Sequence, residues 1–239
     1  MGGWALVDHP VTTDPVTADP VTTDPMNTRP PVVVIHGALR SQAGLWPIVW
    51  YLRRLGFNAR AFGYATRAQS LEQHGERLEA FVGGWLGGPA PLLGILTHSM
   101  GGLVARAYQA RAGAAVQSQR QRVVMLAPPN QGAALAHSMR DFRPFRWLYG
   151  AAAAELLPSR VASLPPPPPS AAVLVLAGGR RGSEVGYTRR IAGNNDGLVG
   201  VAETALPGII PEFVGGVHST LQWRPEILRR AARFLADEG

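Results

Sequence analysis

LLGILTHSMGGLVARAYQAR, residues 92–111, carries the strongest statement about how this chain folds. Leu92 to His98 is an apolar run of strand length, and Gly101 to Arg111 reads as a helix. Only Ser99 and Met100 separate them, so the chain must turn from strand to helix with no loop between. Such a turn, a nucleophile elbow, holds a serine in a strained conformation and points its hydroxyl away from the sheet. Small residues two before and two after the serine relieve crowding at the turn. Gly101 meets that need, whereas Thr97 is expected to crowd it. The Met100 amide falls at the helix N-terminus, where unpaired donors and the helix dipole stabilise an anion. A serine there is also a good helix cap, so the flanking elements must carry the argument.

Outward from this stretch, strands and helices alternate. Val32 to His36 is a continuous apolar run bounded by Pro and Gly, as in a buried parallel strand. Leu45 to Leu55 reads as a helix, Asn58 to Phe62 as a weaker strand and Ser70 to Leu86 as a helix. Arg122 to Ala127, Ala172 to Ala177 and Glu212 to Val217 complete the strand candidates, and Pro225 to Ala236 is a terminal helix opened by proline. The alternation predicts an α/β fold, a mostly parallel central sheet flanked by helices. Right-handed crossovers place the loops after the strands along one edge, so the loops after His36, His98 and Val217 are expected to converge.

Residues 131–170 break this rhythm. Arg140, Arg143 and Arg146 stand among Phe142, Phe145, Trp147, Leu148 and Tyr149, and Pro165–Pro169 closes the segment. A short helical insertion over the active-site edge fits. Its arginines and aromatics suggest weak contact with an anionic membrane surface, with ordinary packing as the competing reading. Upstream, Val-Thr-x-Asp-Pro occurs three times over residues 11–25. Proline every fifth residue blocks helix and weakens strand. Residues 1–29 therefore read as a disordered tail and 30–239 as one domain, with Met26 an alternative start.

The remaining roles follow by elimination. An acyl-transfer site needs a second amide donor beside the elbow strand; Ala38, after Ile35-His36-Gly37, is best placed. His36 is expected to shape that loop by hydrogen bonding. Of six histidines only His137 and His218 follow Ser99, and His218 sits where a strand would present a base. The acids between are Asp141, Glu155, Glu184, Asp196, Glu203 and Glu212. Asp196 lies in a tight polar turn, Asn195-Asp-Gly197, which is also generic turn chemistry; Asp141 is the rival.

Composition narrows the classes. The chain of 239 residues has no cysteine, which excludes disulfides, thiolate metal sites and a cysteine nucleophile. Net charge is +7, yet the arginines are scattered, with no run suited to nucleic acid. No stretch approaches a membrane span and no secretory signal is evident, which points to the cytoplasm.

T-H-S-M-G-G at residues 97–102, Leu126-Ala-Pro-Pro-Asn-Gln-Gly132, the stretch from Asn195 to Gly208, and Val217-His218 together resemble bacterial α/β-hydrolases of the lipase and PGAP1-like esterase kind. The resemblance spans roughly Pro30 to Leu235. It implies Ser99, Asp196 and His218 as the triad, Ala38 and Met100 as the oxyanion hole, and the Pro-Pro-Asn-Gln-Gly stretch as a border of the acyl site. Implied too are hydrolysis of small-molecule or lipid-like esters, no cofactor and no metal. A threonine before the His-Ser pair is familiar in that group. Alternatives that keep the fold are an acyltransferase or perhydrolase using the same triad, or an inactive binding module, for which Thr97 is the sequence support. The sequence does not set the oligomeric state.

Overall fold

A computed structural model describes residues 29–88, 90–111 and 118–236. The repeat and Met26 lie outside the described residues. Six strands, β1 (Val32–Ile35), β2 (Ala59–Phe62), β3 (Leu92–His98), β4 (Arg120–Leu126), β5 (Ala171–Ala177) and β6 (Glu212–Phe213), form one sheet in the order β2-β1-β3-β4-β5-β6. Every pairing is parallel. The described helices are α1 (Trp46–Arg54), α2 (Leu71–Leu86), α3 (Gly101–Arg111), α4 (Ala134–Ser138), α5 (Arg143–Tyr149), α6 (Ala152–Glu155), α7 (Pro158–Ala162) and α8 (Pro225–Leu235).

The apolar runs are continuous because the strands are covered on both faces, and successive side chains alternate between them. Val33, Ile35, Leu93, Ile95 and Val123 enter one core, closed by Leu71 and Leu78 of α2 and Leu103 and Tyr108 of α3. Val32, Val34, Leu96, Val124 and Leu174 enter the other, closed by Ile48 and Leu52 of α1 and Ile227 and Leu235 of α8. The start of α2 is fixed by a capping box: the Ser70 hydroxyl accepts from the Gln73 amide, and the Gln73 side chain accepts from the Ser70 amide.

One predicted strand is largely lost. Glu212 to Val217 was expected to be extended throughout, but β6 covers only Glu212–Phe213. Gly215 and Gly216 adopt φ of 67° and 103°, which no strand accommodates. The chain turns there and delivers His218 at the head of a 3-10 helix, His218–Trp223.

The insertion is fused to the body of the fold. Its Phe145, Ala152, Leu156 and Val161 belong to the same core as α2 and α3. Arg106 of α3 ties both of its ends, donating to the Asn130 carbonyl at 3.1 Å and the Leu164 carbonyl at 2.7 Å. Burial brings its pKa down to about 10, so it remains a cation at neutral pH. On the α2 side, Glu155 accepts from the Leu71 amide at 3.1 Å and from Arg160 at 3.0 Å, and Arg160 also pairs with Glu72. Phe142, Trp147 and Leu148 are exposed while Phe145 is buried. Among the described residues no helix is long and apolar enough to cross a membrane.

Buried imidazoles, His36, His74 and His98, make stability depend on pH. His74 of α2 packs edge-on to Tyr64, centroids 4.5 Å apart, and burial, followed by nearby Arg77 and His36, lowers its pKa to about 4. Burial, reinforced by the neighbouring His218, holds His98 well below the ordinary value. The unfolded chain takes up these protons near pH 6.5, before the folded chain does. Stability is therefore unaffected above that pH and falls as the pH drops through it, until the folded ring protonates. His74 alone should remove about 2 kcal/mol between roughly pH 7.5 and pH 5. Urea unfolding of the wild type and of His74→Phe at both pH values checks this: the pH-dependent loss should be smaller in the variant by about that amount.

Candidate active site

β3 ends at His98, and Ser99 follows with φ of 54°, a left-handed conformation rarely adopted by a residue with a Cβ. The turn is held from both sides. The Ser99 amide donates to the Leu126 carbonyl at 2.8 Å, and its carbonyl accepts from the Gly102 amide at 2.9 Å. Gly101 is required by space: a Cβ there would stand 2.8 Å from the carbonyl oxygens of both Ile35 and His36. Gly37 is required too, since its Cβ would fall 2.9 Å from that of Ser99.

The crowding expected from Thr97 does not arise. Its side chain is buried and its hydroxyl donates to the Val124 carbonyl of β4 at 3.3 Å. The position two before the serine therefore adds a cross-strand bond instead of strain, and Thr97 gives no reason to read the site as inactive.

The loop after β1 is shaped by His36, as its residue type suggested. One ring nitrogen, Nδ1, donates to the Gly37 carbonyl at 2.9 Å, and Nε2 accepts from the Tyr64 amide at 3.4 Å. Tyr64 stacks on the ring and donates its hydroxyl to the His36 carbonyl at 2.7 Å. Beyond Gly37, the Leu39 amide donates to the Thr66 hydroxyl and the Arg40 amide to the Gly37 carbonyl, both at 3.3 Å. Among the described residues the Ala38 and Met100 amides have no protein acceptor. Ala38 lines the same cavity as Ser99, and Met100 follows Ser99 in the chain.

Asp196 and His218 meet. Nδ1 of His218 lies 2.7 Å from Asp196 Oδ2, with both side chains almost wholly buried. The other carboxylate oxygen, Oδ1, accepts from the Leu198 and Val199 amides at 3.0 and 2.8 Å. The His218 amide also donates to the Asp196 carbonyl at 3.0 Å. A carboxylate only accepts, so Nδ1 carries a proton, and in the neutral ring Nε2 is the acceptor. Asp141, the rival acid, is instead an exposed partner of Arg140.

Ser99, His218 and Ala38 line one cavity of about 260 Å³, and the Met100 side chain is wholly buried. The insertion supplies one apolar wall of this cavity, with Ala136, Phe145 and Leu156; Leu39, Leu198 and Val199 line it from elsewhere, and Pro129 of the Pro-Pro-Asn-Gln-Gly stretch borders it. The loops after the first and third strands and the turn after the last thus converge as the topology requires.

Three contributors escaped the sequence reading. His98 donates from Nε2 to the His218 carbonyl at 3.0 Å and so holds the segment bearing that ring. Its place in the Thr-His-Ser motif was visible, but not its partner 120 residues away. Asn195, fully buried, organises the acid turn: Oδ1 accepts from the Thr188 and Gly197 amides and Nδ2 donates to the Thr188 carbonyl. Glu203 bridges the Gly200 and Ala134 amides, both at 2.7 Å, and joins the acid segment to the insertion; burial raises its pKa. Among the described residues no group of three His, Cys, Asp or Glu is placed to hold a metal ion.

No protein-family model and no curated protein matches the chain. Solved structures do. A Bacillus licheniformis lipase in propeptide form superposes with a TM-score of 0.71 at 17% identity, over 87% of this chain and 50% of that one. A monoacylglycerol lipase from Paleococcus ferrophilus gives 0.56 at 16%, over 88% and 97%. A thioesterase domain, NocB, in covalent complex with a fluorophosphonate nocardicin G analogue, gives 0.52 at 16%, over 90% and 97%. The chain thus spans half the length of that lipase's propeptide form.

Proposed function

The chain has the α/β-hydrolase fold, and on that premise we propose that it is a serine hydrolase cleaving ester bonds of small-molecule or lipid-like substrates through an acyl-enzyme. The observation that carries this reading is the His218–Asp196 pair at 2.7 Å opening on the cavity that Ser99 lines from a strained turn. The similar proteins, lipases and a thioesterase, support the reaction class.

Nε2 of His218 takes the Ser99 proton as Oγ attacks the ester carbonyl. The resulting oxyanion sits on the Ala38 and Met100 amides, which stabilise it where charge develops. The imidazolium is stabilised by Asp196 and returns its proton to the departing alcohol. Water, deprotonated by the same ring, then attacks the acyl-enzyme; the acid leaves and Ser99 regains its proton. The apolar walls contributed by the insertion receive the acyl chain.

A fluorophosphonate probe tests the reading, since it reacts only with an activated serine. We expect one adduct, on the tryptic peptide containing Ser99, in folded protein and none after heat unfolding. Folded protein that takes up no probe would reject the proposal.

A further inference from the structure

We propose that Arg40 recognises an anionic group, a carboxylate or phosphate, on the alcohol side of the substrate. The inference rests on the ester-hydrolase reading and adds the substrate's charge.

Arg40 stands two residues past Ala38, and it lines both the cavity of Ser99 and an adjoining groove of about 500 Å³. Its side chain is held in place without being neutralised. One terminal nitrogen donates to the Ser219 carbonyl at 3.3 Å, and the guanidinium lies over the Trp223 ring, 5.1 Å from its centroid. Both contacts sit on the 3-10 helix that begins with His218. Among the described residues no carboxylate pairs with Arg40, whereas Arg160, Arg224 and Arg230 each have one. Arg67, in the same groove, is likewise without a carboxylate and is held by the Trp147 carbonyl at 2.7 Å. No Asp or Glu lines either the cavity or the groove.

Charge and polarity therefore separate along the site. On the insertion side Ala136, Phe145 and Leu156 offer an apolar wall and no charge. The adjoining groove holds two cations, Arg40 and Arg67, lined besides by Thr66, Leu39 and Leu148. An ester laid across Ser99 with its acyl chain on the insertion directs its alcohol toward Arg40. A planar guanidinium held at one terminal nitrogen keeps its remaining N–H donors for a carboxylate or phosphate there. The contact forms in the bound ester as well as in the transition state, so it acts mainly on KM.

The test compares butyrate esters that differ only in the alcohol: glycerol, glycerol 3-phosphate and glycolate. In the wild type at low salt, kcat/KM for the two anionic esters should exceed that of the glycerol ester by roughly tenfold, through KM. The ratio should shrink as salt is raised. It should fall to about one in Arg40→Gln and be partly kept in Arg40→Lys. Preference for only one anionic ester identifies which anion fits and still supports the proposal. A wild-type ratio of one or below overturns it, as does a ratio that salt leaves unchanged or that survives in folded Arg40→Gln. Should that variant not fold, the wild-type ratio and its salt dependence decide. Failure to hydrolyse any of the three, together with no fluorophosphonate adduct, would instead sink the ester-hydrolase reading itself.

Discussion

Replacing Ser99 by Ala should lower kcat for p-nitrophenyl butyrate by about six orders of magnitude, the scale on which serine triads lose turnover when the nucleophile is removed. The fall is that large because the acyl-enzyme route disappears altogether, leaving only the oxyanion donors and binding to act on a bulk water. The fold should hardly notice. Ser99 is fixed by its backbone, through Leu126 and Gly102, and alanine inherits those bonds and the same φ of 54°. Melting temperature should stay close to that of the wild type, which separates lost chemistry from lost structure. Purified Ser99→Ala that retains esterase activity would remove the proposed mechanism.

Asp196→Asn should lower kcat by about four orders of magnitude, by fixing the wrong tautomer of His218. The local bonds dictate this outcome. Oδ1 of Asp196 accepts from the Leu198 and Val199 amides, so the amide oxygen of asparagine must take that position. Its NH2 then replaces Oδ2, 2.7 Å from Nδ1 of His218. Nδ1 is forced to accept, Nε2 carries the proton, and the ring can no longer take one from Ser99. KM should change little, because Asp196 is buried behind the histidine and is no part of the cavity lining. Asp196→Ala is the poorer experiment, since it also leaves the Leu198 amide and the buried Val199 amide without their acceptor. A fall of less than tenfold in folded Asp196→Asn would mean that His218 draws its orientation from elsewhere, the His98 bond to its carbonyl being the obvious source.

The two substitutions probe different kinds of legibility. Ser99 was identified from its own neighbourhood, a strand run before it and a helix after it, both set by residues within a few positions. Asp196 rests on the resemblance, because Asn-Asp-Gly serves equally as turn chemistry; only the tertiary fold sets His218 against Asp196 and leaves the rival Asp141 exposed beside Arg140. Thr97 shows the limit from another side. Its size suggested crowding, but whether a buried threonine clashes or bonds depends on the carbonyl of the adjacent strand, here Val124. The shortened last strand teaches the same lesson: its residues suit extension, and two glycines at positive φ divert it toward the site.

The amino-acid order alone determined the layered α/β plan, the sharp strand-to-helix turn at Ser99 and the edge of the sheet where the candidate site lies. Those follow from periodicity and from connection handedness, which operate between neighbours along the chain. Folding in three dimensions decided which acid meets His218, that the insertion is anchored by Arg106 and Glu155 into the main core, and that Arg40 lines the cavity beside Ala38. Such outcomes rest on single hydrogen bonds between residues tens to hundreds of positions apart, and a partner's direction is fixed only once both backbones have been placed by the packing around them.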